Sequence, residues 1–227
     1  MKLTKRYAIF DLDGTLLDTL DDLTDSMNYI LGKHNFTLRT RDEVRNFVGN
    51  GVRKLVERAV PPEYKADDGF IDKFYDDFSL YYNSHSDIKT SPYPVTLDML
   101  DKLLHSGFDI AIVSNKIDSA VKSLSTKFFG ERIKSAIGEK PSIRHKPEPD
   151  MVFMAMEEMG ADKENSIYIG DSEVDIQTAK NAGIPCISVL WGFKDRKFLE
   201  DSGATTIVKS MEELGERLVN YRNNQSN

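Results

Sequence analysis

Tyr7-Ala8-Ile9-Phe10-Asp11-Leu12-Asp13-Gly14-Thr15 places two carboxylates one residue apart just where a short apolar run stops. The run reads as a buried strand that ends in acids. Acids there are costly unless something cationic meets them, and in open α/β sheets the carboxyl end of a strand is where ligands bind. Gly14 admits a backbone conformation that other residues resist, and Thr15 adds a hydroxyl beside it. The stretch predicts a strand leading into a site, whose other members the rest of the chain has to supply.

From residue 88 onward, short β runs at 109–113, 133–137, 166–169, 186–189 and 205–208 alternate with amphipathic helical stretches at 96–105, 117–128, 150–159, 174–182 and 211–221. That alternation signals βαβ units and a parallel sheet. Between the first strand and this pattern the periodicity is helical throughout, at 21–32, 42–48, 52–60 and 70–82. Phe70, Phe74, Phe78 and Tyr82 share one face of the last stretch, which reads as the core of a small domain. Met151, Met154, Met156 and Met159 read in the same way, as core filling. The expected fold is α/β, a Rossmann-like parallel sheet core with helices on both faces, plus a small all-helical cap domain. Its core is expected over 1–16 and 88–227, and the cap over 17–87.

With 227 residues the chain can bury a sizeable interior. Thirty basic against thirty-seven acidic side chains leave a formal charge of -7, which argues against a general binder of nucleic acid or of anionic membranes. An anionic ligand has to be held locally. Neither a signal peptide nor a membrane span is expected, so the cytoplasm is the expected location. Cys186, the one cysteine, sits in an apolar run and reads as strand packing. His34, His85, His105 and His145 lack metal-site spacing.

Later strand ends are chemically loaded too. The run at 109–113 leads into Ser114-Asn115-Lys116, where a hydroxyl and free backbone N–H groups at a helix start make an anion cradle. The run at 166–169 leads into Gly170-Asp171-Ser172, with Asp175 one turn on. Lys146-Pro147 sits between them, and Pro147 favours an extended Lys146. Parallel strands present all their carboxyl ends on one edge, so Asp11, Asp13, Ser114, Lys146, Asp171 and Asp175 can converge there. Four carboxylates against one lysine leave a negative excess that a hard divalent cation resolves, and magnesium with a phosphate ligand suits such a site.

These motifs, in this order, resemble those of haloacid dehalogenase superfamily phosphohydrolases: Asp11-Leu12-Asp13-Gly14-Thr15 the first, Ser114-Asn115 the second, Lys146-Pro147 the third, Gly170-Asp171-Ser172 with Asp175 the fourth. The resemblance runs over nearly the whole chain, and the helical insertion is similar to the cap that one subgroup carries there. It implies that Asp11 attacks phosphorus and becomes an aspartyl-phosphate. Asp13 is implied to protonate the leaving oxygen and then to take a proton from the hydrolysing water. The resemblance also implies Mg2+ held by Asp11, Asp171 and the backbone carbonyl of Asp13, with Asp175 supporting that shell. Ser114, Asn115 and Lys146 are implied to hold the phosphate. Asp13 favours phosphate esters over halogenated acids, whose leaving group needs no proton. Lys54, a counterpart for the Schiff-base lysine of phosphonatase members, reads as a surface charge.

In the helical insertion, Gly49, Asn50, Gly51 and Arg53 resemble the cap loop of phosphoglycolate phosphatases, as does the later Trp191-Gly192-Phe193. The implied substrate is a small phosphorylated metabolite carrying a carboxylate, with Arg53 as that carboxylate's partner. A phosphosugar mutase of the β-phosphoglucomutase type, a nucleotidase or pyrophosphatase, and a non-catalytic binding module are the alternatives. Nothing in the sequence speaks to the oligomeric state.

Overall fold

A computed structural model describes residues 5–141 and 143–221. The chain forms two compact units, one from the residues up to Leu16 and from Pro92 on, the other from Leu17–Ser91. The first begins with strand β1 (Arg6–Phe10), in which Ala8, Ile9 and Phe10 are wholly buried. A continuous apolar run suits a parallel strand covered on both faces.

The connection after β1 passes through a two-residue strand, β2 (Leu17–Asp18), into four helices. These are α1 (Leu20–Lys33), α2 (Arg41–Phe47), α3 (Val52–Ala59) and α4 (Asp68–Asn83). Thr40 and Glu43 close a reciprocal capping box at the start of α2. Phe74, Phe78 and Tyr82 are buried on α4, so the aromatic face is core as expected, while Phe70 stands half-buried at its edge. The expected return point at residue 88 lies inside this unit, and the crossing falls between Ser91 and Pro92, at the second short strand β3 (Ser91–Pro92). The cause is Asp22 on α1, whose buried carboxylate accepts the backbone N–H groups of Ile88, Lys89 and Thr90 and ties them to the helices.

The alternating pattern then resumes: α5 (Thr96–His105), β4 (Phe108–Ile117), α6 (Asp118–Phe129), β5 (Ser135–Glu139), α7 (Asp150–Met159), β6 (Ser166–Gly170), α8 (Glu173–Ala182), β7 (Cys186–Val189), α9 (Arg196–Asp201), β8 (Ile207–Val208) and α10 (Met211–Asn220). All six core strands are parallel, in the order β5-β4-β1-β6-β7-β8. The order reverses beside β1, because the chain steps outward through β4 and β5 and then returns to β1's other side with β6. A reversal of this kind opens a crevice at the strands' carboxyl ends. Ile9 faces Ala111 on one side and Tyr168 on the other, which fixes the register at that point.

Several details differ from the sequence pattern, among them β5, which runs two residues later than expected, and β8, which is shorter. The strand expected at 109–113 continues to Ile117, with a break in register between Val113 and Ile117 where it runs beside β5. The helix α9 has only six residues, too few to show a helical period. Three of the α7 methionines, Met151, Met156 and Met159, are buried in one core cluster, against which Cys186 packs. No helix among the described residues is long and apolar enough to cross a membrane.

Candidate active site

Asp11 leaves β1 at its carboxyl end, and its backbone N–H donates to the Ile169 carbonyl of β6, so the strand pairing continues into the acid. Its carboxylate meets the Lys146 ammonium at 2.9 Å. Lys146 also reaches Asp175 at 2.8 Å and the Tyr168 hydroxyl at 3.2 Å. The lysine itself is held by Asn115, which accepts the Lys146 N–H at 2.8 Å and donates to its carbonyl at 3.0 Å. Asn115, expected on a phosphate, thus spends its amide on the main chain of Lys146 and aims that side chain. The Lys146–Pro147 peptide is cis.

Asp11, Asp171 and Asp175 are all buried, and one carboxylate oxygen of each lies within 4.8 Å of the others. Asp175 is saturated by its surroundings. One of its oxygens takes Lys146 and Tyr168, and the other takes the N–H groups of Asp171 and Ser172 and the Ser172 hydroxyl, closing a capping box at the start of α8. Asp171 accepts the Phe193 N–H at 2.6 Å and the Thr15 hydroxyl at 3.4 Å. Gly14 lies against it at φ +88°, and a Cβ there would come within 2.5 Å of the Asp171 carboxylate. A Cβ on Gly192 would crowd the same acid, so two glycines leave the room in which it stands.

Burial pushes the Asp11 carboxyl up to about 7, partly countered by Lys146 and reinforced by Asp175 and Asp13. Burial together with the Asp175 and Asp11 charges holds Asp171 well above the ordinary carboxylate range. On Lys146 burial acts downward, but the Asp11 and Asp175 charges outweigh it and keep the ammonium protonated. Two acids displaced upward by burial and by each other form a site short of positive charge, and an all-oxygen donor set of this kind fits a divalent cation.

Asp13 stands apart from the three-acid cluster and has its own cation, the Lys116 ammonium, at 3.0 Å. Ser114, Asn115 and Lys116 are all buried at the irregular end of β4, and the Ser114 hydroxyl accepts the Lys116 N–H. The edge thus brings together Asp11, Asp13, Ser114, Asn115, Lys146, Asp171 and Asp175. Three contributors carried no expectation: Tyr168 beneath Lys146, the Phe193 N–H on Asp171, and Lys116 on Asp13. The signals for the last two were the glycine before Phe193 and the position of Lys116 beside Ser114-Asn115.

Gly49, Asn50, Gly51 and Arg53 belong to the helical unit. Gly49 and Gly51 adopt positive φ, and the turn between them is held by Arg58, which donates to the Phe47 carbonyl and to Asn50. Arg53 is paired with Glu57 one turn on along α3 and with Asp68 and Asp72 of α4.

Residues 8–189 match the family described as haloacid dehalogenase-like hydrolases. A phosphoglycolate phosphatase of Agrobacterium fabrum is 34% identical over 85% of this chain and 84% of its own length. Another, of Mesorhizobium japonicum, is 32% identical over 96% and 98%. A crystal structure from Lactobacillus delbrueckii subsp. bulgaricus, provisionally named a phosphoglycolate phosphatase, has a TM-score of 0.88 at 37% identity, covering 95% of this chain and 99% of that one.

Proposed function

Because this chain belongs to the haloacid dehalogenase-like hydrolase family, we propose that it is a magnesium-dependent phosphatase of a small, carboxylated phosphate monoester of the phosphoglycolate kind. The observation that carries the reading is the buried triad of Asp11, Asp171 and Asp175 beside Lys146 at the switch point of the sheet.

Asp11 is the nucleophile. Its carboxylate attacks phosphorus, the bond to the ester oxygen breaks in line, and an aspartyl-phosphate forms. Lys146 and Ser114 hold the phosphoryl oxygens, with Asn115 fixing Lys146. Asp13 gives its proton to the departing oxygen, then accepts one from the water that hydrolyses the intermediate, returning Asp11 as a carboxylate. Asp11, Asp171 and the Asp13 carbonyl would hold magnesium, while Asp175 orients Lys146 and the Asp171 turn. Bound there, the cation supplies positive charge to the phosphoryl oxygens.

The helical unit is read as a cap whose Gly49–Arg53 loop chooses the ester, with Arg53 exchanging Asp72 and its neighbours for the substrate carboxylate. The two relatives' names support that substrate. The test is phosphate release with magnesium from phosphoglycolate, sugar phosphates and nucleotides side by side, for the parent and for Asp11→Asn. Release from phosphoglycolate above the other esters, lost in the variant, is expected. A parent no more active than the variant on any ester removes the enzyme reading.

A further inference from the structure

The two acids that follow β1 are each met by a lysine. Asp11 takes Lys146, and Asp13 takes Lys116 from the end of β4. The Lys116 side chain is 3% exposed and the Asp13 side chain 16%, so the lysine is the more deeply buried of the two. An ammonium is rarely buried to that degree unless a partner requires it there. Its place is set by the main chain: between Val113 and Ile117 β4 spends four residue steps where β5 spends two, and an irregularity of this kind re-aims side chains at a strand end. Gly138 on β5 leaves the space, because a Cβ there would run into the Lys116 carbonyl and the Asp118 backbone.

From this geometry we infer that Lys116 is the positioning residue for the acid–base function of Asp13. It rests on the reading of Asp13 as proton donor and acceptor given above. Lys116 donates to Oδ1 and pins the carboxyl plane, so that the proton rides on Oδ2 and faces the departing ester oxygen. As the P–O bond to that oxygen breaks, the Oδ2 proton passes to it, and Lys116 keeps all of its own protons. In the second half-reaction the same oxygen takes the proton of the attacking water. Loss of Lys116 removes that hydrogen bond and lets the carboxyl turn away.

A positioning role of this kind depends on the leaving group. An alkoxide needs the proton and p-nitrophenolate scarcely does, so only the first should be slowed when the bond to the ester breaks. Lys116→Met, with Lys116→Gln beside it to keep an N–H donor, is assayed with magnesium on phosphoglycolate, on β-glycerol phosphate and on p-nitrophenyl phosphate. Well-placed acid–base groups contribute about 10²–10⁴-fold, so Lys116→Met should lose about tenfold or more in kcat/KM on the alkyl esters and at most about threefold on the aryl ester. Rapid mixing of Lys116→Met with the aryl ester should show a burst of p-nitrophenolate, because the intermediate forms normally and hydrolyses slowly. Lys116→Gln should recover part of the alkyl rate.

Equal losses on alkyl and aryl esters with no burst, in either folded variant, overturn the inference and mark Lys116 as packing. Asp13→Ala separates this from the parent reading. If it shows the leaving-group pattern and Lys116→Met does not, only the Lys116 inference fails. If Asp13→Ala is as active as the parent on alkyl esters, the two fail together.

Discussion

The electrostatics of Asp11 make a prediction about pH. Its carboxyl is pushed up to about 7 by burial, against the pull of Lys146. A carboxyl that titrates higher in the folded chain than in the unfolded one stabilises the fold in its protonated form. That contribution is whole below the ordinary value of 3.8 and is lost as pH rises through about 7. A divalent cation requires the deprotonated acid, so it competes with the proton and its effect has the opposite slope. Melting curves in EDTA and in magnesium, between about pH 5 and about pH 8, should show a small magnesium shift at the acid end and a large one at the alkaline end. A shift independent of pH would remove Asp11 from the cation's donors. Gly14 allows a second test beside the same acids. A Cβ on it meets the Asp171 carboxylate, and its φ of +88° is one that side chains resist. Gly14→Ala should cost about 1–3 kcal/mol in chemical denaturation under EDTA, and magnesium should recover less of the stability than it does in the parent.

At the scale of elements, the connection back from the helical unit depends on one side chain of α1. Asp22 is 2% exposed and accepts from three successive backbone N–H groups, those of Ile88, Lys89 and Thr90. Asp22→Ala leaves these donors without their acceptor, and an unsatisfied buried group costs about 1–3 kcal/mol. The variant should lose at least that much stability, with faster amide exchange concentrated at residues 88–90; exchange unchanged there would mean that the tie is not formed in solution. The same tie explains a limit of sequence reading, since a contact spanning more than sixty residues leaves no local trace and residue 88 looked like the start of the core. Elements with a strong internal period were readable to the residue, among them Thr96–His105, Asp150–Met159 and Cys186–Val189. The apolar pattern of β4 ends at Val113, while the strand runs on through Ser114-Asn115-Lys116. Those added residues are the ones that reach the site, and polarity masked their membership of the strand.

Across the whole molecule, the convergence of the acids was readable because it needs only parallel strands. Residues from 11 to 175 meet at one edge whatever their separation in the chain, and a strand order that reverses beside β1 puts the Asp11 and Asp171 turns on adjacent strands. The pairings within the edge were not readable, because which lysine meets which acid depends on side-chain geometry that no spacing encodes. The consequence is a molecule whose apolar core is built from side chains other than these acids, while its sheet edge holds buried acids drawn together against their own repulsion. Metal removal should therefore silence the site and leave the fold standing. In EDTA the circular dichroism spectrum should be that of the untreated protein while phosphate release falls to background, and magnesium should restore the activity. A cation that binds only the folded chain adds about 2.7 kcal/mol of stability at a hundredfold excess over its Kd, and a chain of this size gains about 2–4 °C per kcal/mol. Saturating magnesium should thus raise the melting temperature by about 5–10 °C near neutral pH. Asp171→Asn, which removes one of the cluster's negative charges, should lose most of that rise. Turnover that survives EDTA, or a melting temperature that ignores magnesium in the parent, would contradict a cation at this edge.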